Sequence, residues 1–361
     1  MRQLSIICSF FVMFLCEAQE QTRLPLSDYF SETWNTRSGL PHNSINSVTQ
    51  TQDGYLWVAT WEGLARFNGQ EFTILTRAHI NNLPDSGLRA LTPTQSGGLY
   101  IAGSRGGISL YQHRQWDTQR SASTMVNHLI ESADKSLWLA LENDGVFYRE
   151  HISDTDLAII KNVSAYRVIE DSDGVIWAAT SAGLYKIDNK IPTLMTPHFG
   201  LPNAPVYNLL ITRGGSLIVG SEKGAWIKIN SQFRPIHEQL ANESISSLLE
   251  DNHGDLWFGT INKGVFRLSP DGVEQLDAKN GLPANRILSL LQDRENSIWI
   301  GTNAGLFRLR ESPFSSWTHK RGLAGDYTRT VLSHSDGSLW VGGSSGLNII
   351  KNNRAILVSG S

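Results

Sequence analysis

The sequence predicts an all-β chain, a β-propeller of four-stranded antiparallel blades, seven or eight in number. Three observations carry that prediction. A tryptophan-centred phrase recurs at intervals of 38 to 43 residues, a second phrase keeps fixed phase with it, and each interval divides into four short strand-like runs. The composition agrees: of 361 residues, 18% are charged and 40% apolar, with 32 Gly and 11 Trp. A disordered chain would be rich in charge and poor in aromatic residues.

The first element from the N-terminus is a leader. Arg2 supplies a short positive head, Leu4 to Cys16 is an apolar run, and the small Ala18 precedes Gln19. A membrane-spanning helix needs about 20 apolar residues, so this shorter run reads as a secretory signal peptide, 1–18, cleaved after Ala18. Both cysteines, Cys8 and Cys16, leave with it. The mature propeller, 19–361, is therefore expected to be periplasmic or secreted, without disulfides and without a membrane span. Lys plus Arg number 31 against 34 Asp plus Glu, a net charge of −3, which leaves no basic excess for nucleic acid.

The repeats follow. Asp53-Gly54-Tyr55-Leu56-Trp57 leads to Gly63-Leu64; Asp173-Gly174-Val175-Ile176-Trp177 leads to Gly183-Leu184; Asp336-Gly337-Ser338-Leu339-Trp340 leads to Gly346-Leu347. Related phrases centre on Trp138, Trp257 and Trp299, and degenerate ones on Tyr100 and Ile218. A Trp side chain buries about 150–250 Å². One such anchor per unit, on the second strand, fills the space between neighbouring sheets, so Trp57, Tyr100, Trp138, Trp177, Ile218, Trp257, Trp299 and Trp340 are assigned to the core.

Gly-Leu-Pro or a relative begins at Gly39, Gly200, Gly281 and Gly322, each 18 residues before an anchor. Within the first unit, Ile45–Thr51 alternates, Leu56–Thr60 is apolar, Leu64–Phe67 alternates and Phe72–Leu75 is a fourth short run. Asp53-Gly54 and Asn68-Gly69 punctuate them as tight hairpins. Eight units leave two arrangements open. Either eight blades close one ring, or seven close and the unit around Trp340 begins a second propeller. The extra strand at Phe30–Trp34 is a candidate to complete the last blade, since a free strand edge is a pairing hazard.

The stretch Ile45 to Phe67, and the Gly-Leu-Pro-x-Asn-x-Ile lead-ins at Gly39–Ile45 and Gly281–Ile287, resemble the two-component regulator propeller repeat. The resemblance runs from about Tyr29 to Val358. It implies the periplasmic sensor part of a signalling receptor whose output is a histidine kinase or a diguanylate cyclase. No phosphoacceptor region, nucleotide-binding loop or cyclase signature lies within these residues, so the output is expected outside this polypeptide.

In a four-stranded meander the Asp-Gly and Asn-Gly hairpins share one face, and the Gly-Leu-Pro connections share the other with the loops after the Trp strand. That second face varies from unit to unit, which marks it as the binding face. Its candidate ligand-binding residues are Trp61, Glu62, His42, Asn43, Arg105, Asn143, Glu222, Lys223, Lys263, Arg286, Asn303 and Asp326. The mixed charge suits a polar, neutral or zwitterionic ligand: a small molecule, peptide or glycan. No catalytic residue, metal ligand or cofactor is assigned, because the ten His lack His-x-x-x-His spacing and no Gly-x-Ser-x-Gly elbow occurs. Two other readings stand beside the sensor. One is a propeller lyase or hydrolase acting on a polysaccharide or lactone through carboxylates such as Glu62 and Glu142. The other is an interaction platform that binds a protein partner or dimerises through its faces.

Overall fold

The computed structural model describes residues 23–151, 154–195, 199–311, 317–319, 322–351 and 354–358. The leader 1–18, with Cys8 and Cys16, lies outside the described residues. Eight four-stranded antiparallel sheets follow one another along the chain. Seven have inner strands that pack in a closed cycle: Ile45–Gln50, Leu88–Pro93, Val126–Glu131, Ala165–Glu170, Val206–Ile211, Ile245–Glu250 and Ile287–Gln292, the last returning to the first. These define blades 1 to 7.

The seventh blade is built from both ends of the ring. Its outermost strand is Phe30–Trp34, which pairs antiparallel with Leu306–Arg310 in register from Phe30 opposite Arg310 to Trp34 opposite Leu306. The seam is clasped by side chains. Trp34 stacks on Trp299 with ring centroids 5.3 Å apart, and the Arg308 guanidinium lies over both rings while pairing with Glu32. Gly305 has φ +151, and a Cβ there would stand 2.7 Å from the Trp34 carbonyl oxygen, so the closing strand needs glycine at this point.

The core is divided into seven inter-blade clusters. Trp57 packs with Leu83, Leu88, Leu91 and Ile101 of blade 2, Trp177 with Val206, Leu209 and Val219 of blade 5, and Trp299 with Ile45, Val48 and Val58 of blade 1. Trp138, Tyr100, Ile218 and Trp257 occupy the same place at the other four interfaces. Each second strand thus wedges its anchor against the next blade's inner strand.

The indole N–H of a buried Trp needs an acceptor. Four blades supply it six residues upstream, in the first hairpin: Thr51 Oγ1 at 2.9 Å from Trp57, Asp171 Oδ2 at 2.8 Å from Trp177, Asp251 Oδ2 at 2.8 Å from Trp257 and Asp293 Oδ2 at 2.6 Å from Trp299. The other oxygen of each aspartate accepts backbone N–H groups of the same turn, as Asp293 Oδ1 does from Ser297 at 2.7 Å. One carboxylate therefore fixes both turn and wedge.

A further latch joins blades directly. Backbone N–H groups of one blade's first hairpin donate to the last side chain of the next inner strand: Gln95 to Glu131, Ala133 to Glu170, Arg213 to Glu250, Asn252 to Gln292 and Arg294 to Gln50, at 2.6–2.9 Å. At the two remaining interfaces that position holds Pro93 and Ile211, which have no side-chain acceptor.

The eighth sheet, from Thr328–Ser333 to Arg354–Val358, is complete but stands outside this cycle. Its inner strand is exposed at all six residues, and among the described residues its own cluster buries Leu323, Val341 and Ile350, with Trp317 and Ala355 packed against them. Trp340 is half-buried, not enclosed like the ring's anchors, because no neighbouring blade receives it.

Replacing Asp293 by Ala is expected to destabilise the ring by about 2–4 kcal/mol, since charge-assisted hydrogen bonds to a buried indole and a turn amide are lost together. Asp293→Asn should recover part of the loss. Urea unfolding followed by Trp fluorescence measures both, and an Ala variant within 0.5 kcal/mol of wild type, by that scale of about 2 kcal/mol or more, would refute the role.

Candidate functional site: the axial cavity

Every inner strand carries a β-bulge near its start. The register slips at Asn46, Arg89, Asn127, Tyr166, Tyr207, Ser246 and Leu288 in the ring, and at the equivalent place in the eighth sheet. A bulge adds an unpaired residue and re-aims side chains. Here the bulge residue and its successor both line a cavity of about 830 Å³. Since all seven inner strands contribute, the cavity lies on the ring axis. The successor positions hold Ser47, Ala90, His128, Arg167, Asn208, Ser247 and Ser289.

Part of this lining is structural. Asn46 Nδ2 donates to the Leu88 carbonyl at 2.8 Å, Asn127 Nδ2 to that of Ala165 at 2.9 Å and Ser246 Oγ to that of Ile287 at 2.7 Å. These bonds stitch one bulge to the next blade. A polar relay runs along the rim: Arg89 Nε donates to Asn127 Oδ1 at 3.2 Å, Asn127 Nδ2 to Glu142 Oε2 at 2.7 Å, and Ser164 Oγ to Glu142 Oε1 at 3.3 Å and Asn143 Oδ1 at 2.9 Å.

Other groups are unspent. Arg167 Nε, His128 Nδ1 and Asn208 Oδ1 are buried without a hydrogen-bond partner among the described residues. Burial pushes the Arg167 guanidinium down to about 10. Burial, and secondarily the positive charge of Arg167, holds the His128 imidazole well below its ordinary 6.5, so it is neutral. Burial also lowers Arg89, with Glu142 opposing and Arg286 reinforcing the shift. Tyr166 and Tyr207 meet edge to face at 5.4 Å, and burial raises both phenols, with Glu142 and Glu222 adding to the effect. At the opposite end the carboxylates of Glu131 and Glu170 line the cavity but are engaged by the hairpin N–H groups described above.

The sequence-selected residues are distributed unevenly around this cavity. Arg286 lines it. Asn143 belongs to the rim relay, and Glu222 is close enough to act on Tyr207. His42 Nδ1 accepts from the Ser44 N–H at 2.9 Å and Asn43 Oδ1 from that of Thr36 at 2.9 Å, both fixing the first connection. Arg105 folds back on Asp85 at 3.3 Å. Trp61 is 37% exposed, and its ring lies against Gly87 of blade 2, where an added Cβ would come within 3.1 Å of it. The Lys263 and Glu62 N–H groups donate to Thr260 Oγ1 and Thr60 Oγ1, the Lys223 N–H to Ser221 Oγ, and the Asn303 N–H to the Arg286 carbonyl. These backbone bonds shape the loops while leaving the side chains of Glu62, Lys223, Lys263 and Asn303 outside the cavity lining. Asp326 bonds His319 just ahead of the eighth sheet and is not part of the cavity lining.

Arg89, His128, Arg167, Tyr166, Tyr207 and Asn208 were not among the candidates. Their signal is nonetheless present: each is a large polar or aromatic residue at the second or third place of an inner strand whose first and fourth places are apolar. Among the described residues no group of three or more His, Cys, Asp or Glu is arranged to hold a metal ion, and no helix is long and apolar enough to cross a membrane.

The family model described as two-component regulator propeller matches residues 39–62, 239–262 and 281–304, each spanning a connection, an inner strand and a Trp strand. These are two-component regulator propeller repeats. Two solved extracellular domains from B. thetaiotaomicron, assigned to hybrid two-component systems, share the fold of the repeats. One has 21% identity and a TM-score of 0.78 over 92% of this chain, the other 22% and 0.64 over 91%. The chain spans about half of each, 49% and 47%. A catalytically inactive virginiamycin B lyase from Staphylococcus aureus, solved with quinupristin, has 14% identity and a TM-score of 0.62 over 78% of this chain and 99% of its own. No curated protein matches the repeat chain in sequence.

Between the low native value of His128 and the unfolded value near 6.5, the unfolded chain binds a proton that the native chain refuses, so stability falls as the pH drops through this window. His128→Gln should flatten the dependence of thermal midpoint on pH between 7 and 5, removing a slope of at most about 1.4 kcal/mol per pH unit. Identical slopes in the two proteins would refute a native imidazole held neutral.

Proposed function

We propose that the chain is an exported ligand-sensing propeller, the receptor part of a two-component or cyclic-di-GMP signalling protein, and that its ligand is taken up in the axial cavity. One observation carries the reading. The cavity lies in the 300–1,000 Å³ range usual for small-molecule sites and is lined by polar groups that the fold does not use. A purely structural channel is better served by satisfied or apolar walls, since an unpaired buried polar group costs about 1–3 kcal/mol.

The repeat family and the extracellular domains that share the fold support the receptor role. Signal passage follows from the architecture. A ligand held by several inner strands draws the blades that carry them together around the ring axis. A lyase reading fits less well. His128 is the cavity's one imidazole among the described residues, and no carboxylate orients it as a general base.

Two measurements test the proposal. Expressed with its leader in a bacterial host, the protein should be recovered from the periplasm with Gln19 as its N-terminus by intact mass; recovery of the uncleaved chain in the cytosol contradicts export. A thermal-shift screen of sugars, amino acids and organic acids should give hits that Asn208→Leu weakens by about tenfold or more, equivalent to about 1.4 kcal/mol, and that Trp61→Ala leaves intact. The reverse pattern would move the site from the axis to the loop face.

A further inference from the structure

Resting on the axial-site reading, we infer that the ligand is a small organic acid that also carries a hydroxyl or amine donor, its carboxylate held among Arg89, Arg167 and Arg286. The first observation is how this protein treats the buried and half-buried arginines outside the cavity. Arg149 pairs with Asp156 and two backbone carbonyls, Arg267 with Glu274, Tyr29 and the Leu24 carbonyl, and Arg308 with Glu32. Arg66, whose Nε is also unpartnered, lies over the rings of Tyr55 and Trp57. Burying a cation is costly unless it is compensated, and outside the cavity each of these four has a carboxylate or an aromatic face against it.

Inside the cavity, neither half-buried Arg89, whose Nε meets only the Asn127 amide, nor half-buried Arg167 has a carboxylate within 4.0 Å among the described residues, and the exposed Arg286 that lines the same space has none either. Arg89 feels the opposite charge of Glu142 and, less strongly, the like charge of Arg286, and His128 faces that of Arg167. The nearby acids are committed elsewhere. Glu142 is held by Asn127 and Ser164, while Glu131 and Glu170 are held by hairpin N–H groups at the far end. Glu222 acts on Tyr207 at the rim. Glu142 acts on Arg89 across Asn127, but no carboxylate reaches any of the three guanidinium groups directly, and a planar carboxylate matches the fork of a guanidinium.

Asn208 sets the second half of the specificity. Its Nδ2 donates to the Ser246 carbonyl at 3.1 Å, so its orientation is fixed and its free Oδ1 can only accept. A ligand that leaves this oxygen unpaired forfeits a hydrogen bond, whereas a hydroxy or amino acid satisfies it. The cavity volume also exceeds what an inorganic oxyanion fills, leaving room for a body beside Tyr166 and Tyr207.

The test is calorimetric titration of the full chain with gluconate, succinate and inorganic phosphate, with glucose as the uncharged counterpart of gluconate, in wild type, Arg167→Met and Asn208→Leu. Gluconate should bind at least about tenfold more tightly than glucose, succinate or phosphate, and should lose about tenfold or more in each variant. Ligand-free Arg167→Met should melt at or above the wild-type temperature, because it removes an unpaired charge. Glucose binding as tightly as gluconate, lost in Asn208→Leu but retained in Arg167→Met, overturns the acid while leaving the axial site standing. Phosphate or succinate equal to gluconate overturns the hydroxy-acid assignment. Failure of every probe to bind, with Arg167→Met melting lower than wild type, makes Arg167 structural and overturns the inference; hits from the wider screen that survive Asn208→Leu overturn the axial reading itself.

Discussion

The whole ring depends on one wedge repeated seven times: the large side chain at the second-strand anchor, pressed between its own blade and the next. Trp57, Trp138, Trp177, Trp257 and Trp299, with Tyr100 and Ile218, are all buried there, and each interface cluster forms around one of them. A wedge works only if its angle is fixed. In four blades the turn side chain six residues upstream fixes it by accepting the indole N–H, and in three of these it is an aspartate that also orders the hairpin. Burial, turn geometry and blade angle are thus coupled through a few atoms, and where Ile218 replaces Trp no such bond is needed.

Because the wedges hold the second strands, the first strands are released from packing on one side. That is what makes an axial space available. The bulge near the start of every inner strand then turns two successive side chains toward the axis, and the last side chain of five of the seven inner strands latches onto a neighbouring hairpin. Stability is supplied largely outside the axis, leaving the axis free to carry unpartnered groups such as Arg167 Nε and Asn208 Oδ1. The same division explains the eighth sheet. It has the strands, the hairpin and the bulge, but without a partner blade its inner strand stays exposed and Trp340 only half-covered.

Much of the scaffold was legible because its determinants are local. Asp-Gly turns, four short runs and an anchor every forty residues announce blades whatever surrounds them. The candidate site was less legible. The loop face was chosen for its variability, yet His42, Asn43 and Arg105 turn out to be engaged in holding the connections, and of the selected residues Arg286 alone lines the cavity. The inner-strand residues escape a sequence reading because alternation along a strand sorts side chains into two faces, and a bulge places two neighbours on one face without changing composition.

The sequence by itself determined the repeat, the four-strand unit, the anchor positions and the family resemblance, since these follow from propensities and spacings within some forty residues. Only the tertiary structure decided that seven sheets close, that Phe30–Trp34 completes the blade begun at Ile287, and that Arg89, Arg167 and Arg286 share one space. The physical reason is separation along the chain. Closure pairs Phe30 with Arg310, and the cavity gathers residues from seven strands, so both depend on the wedge angle accumulated over the entire ring.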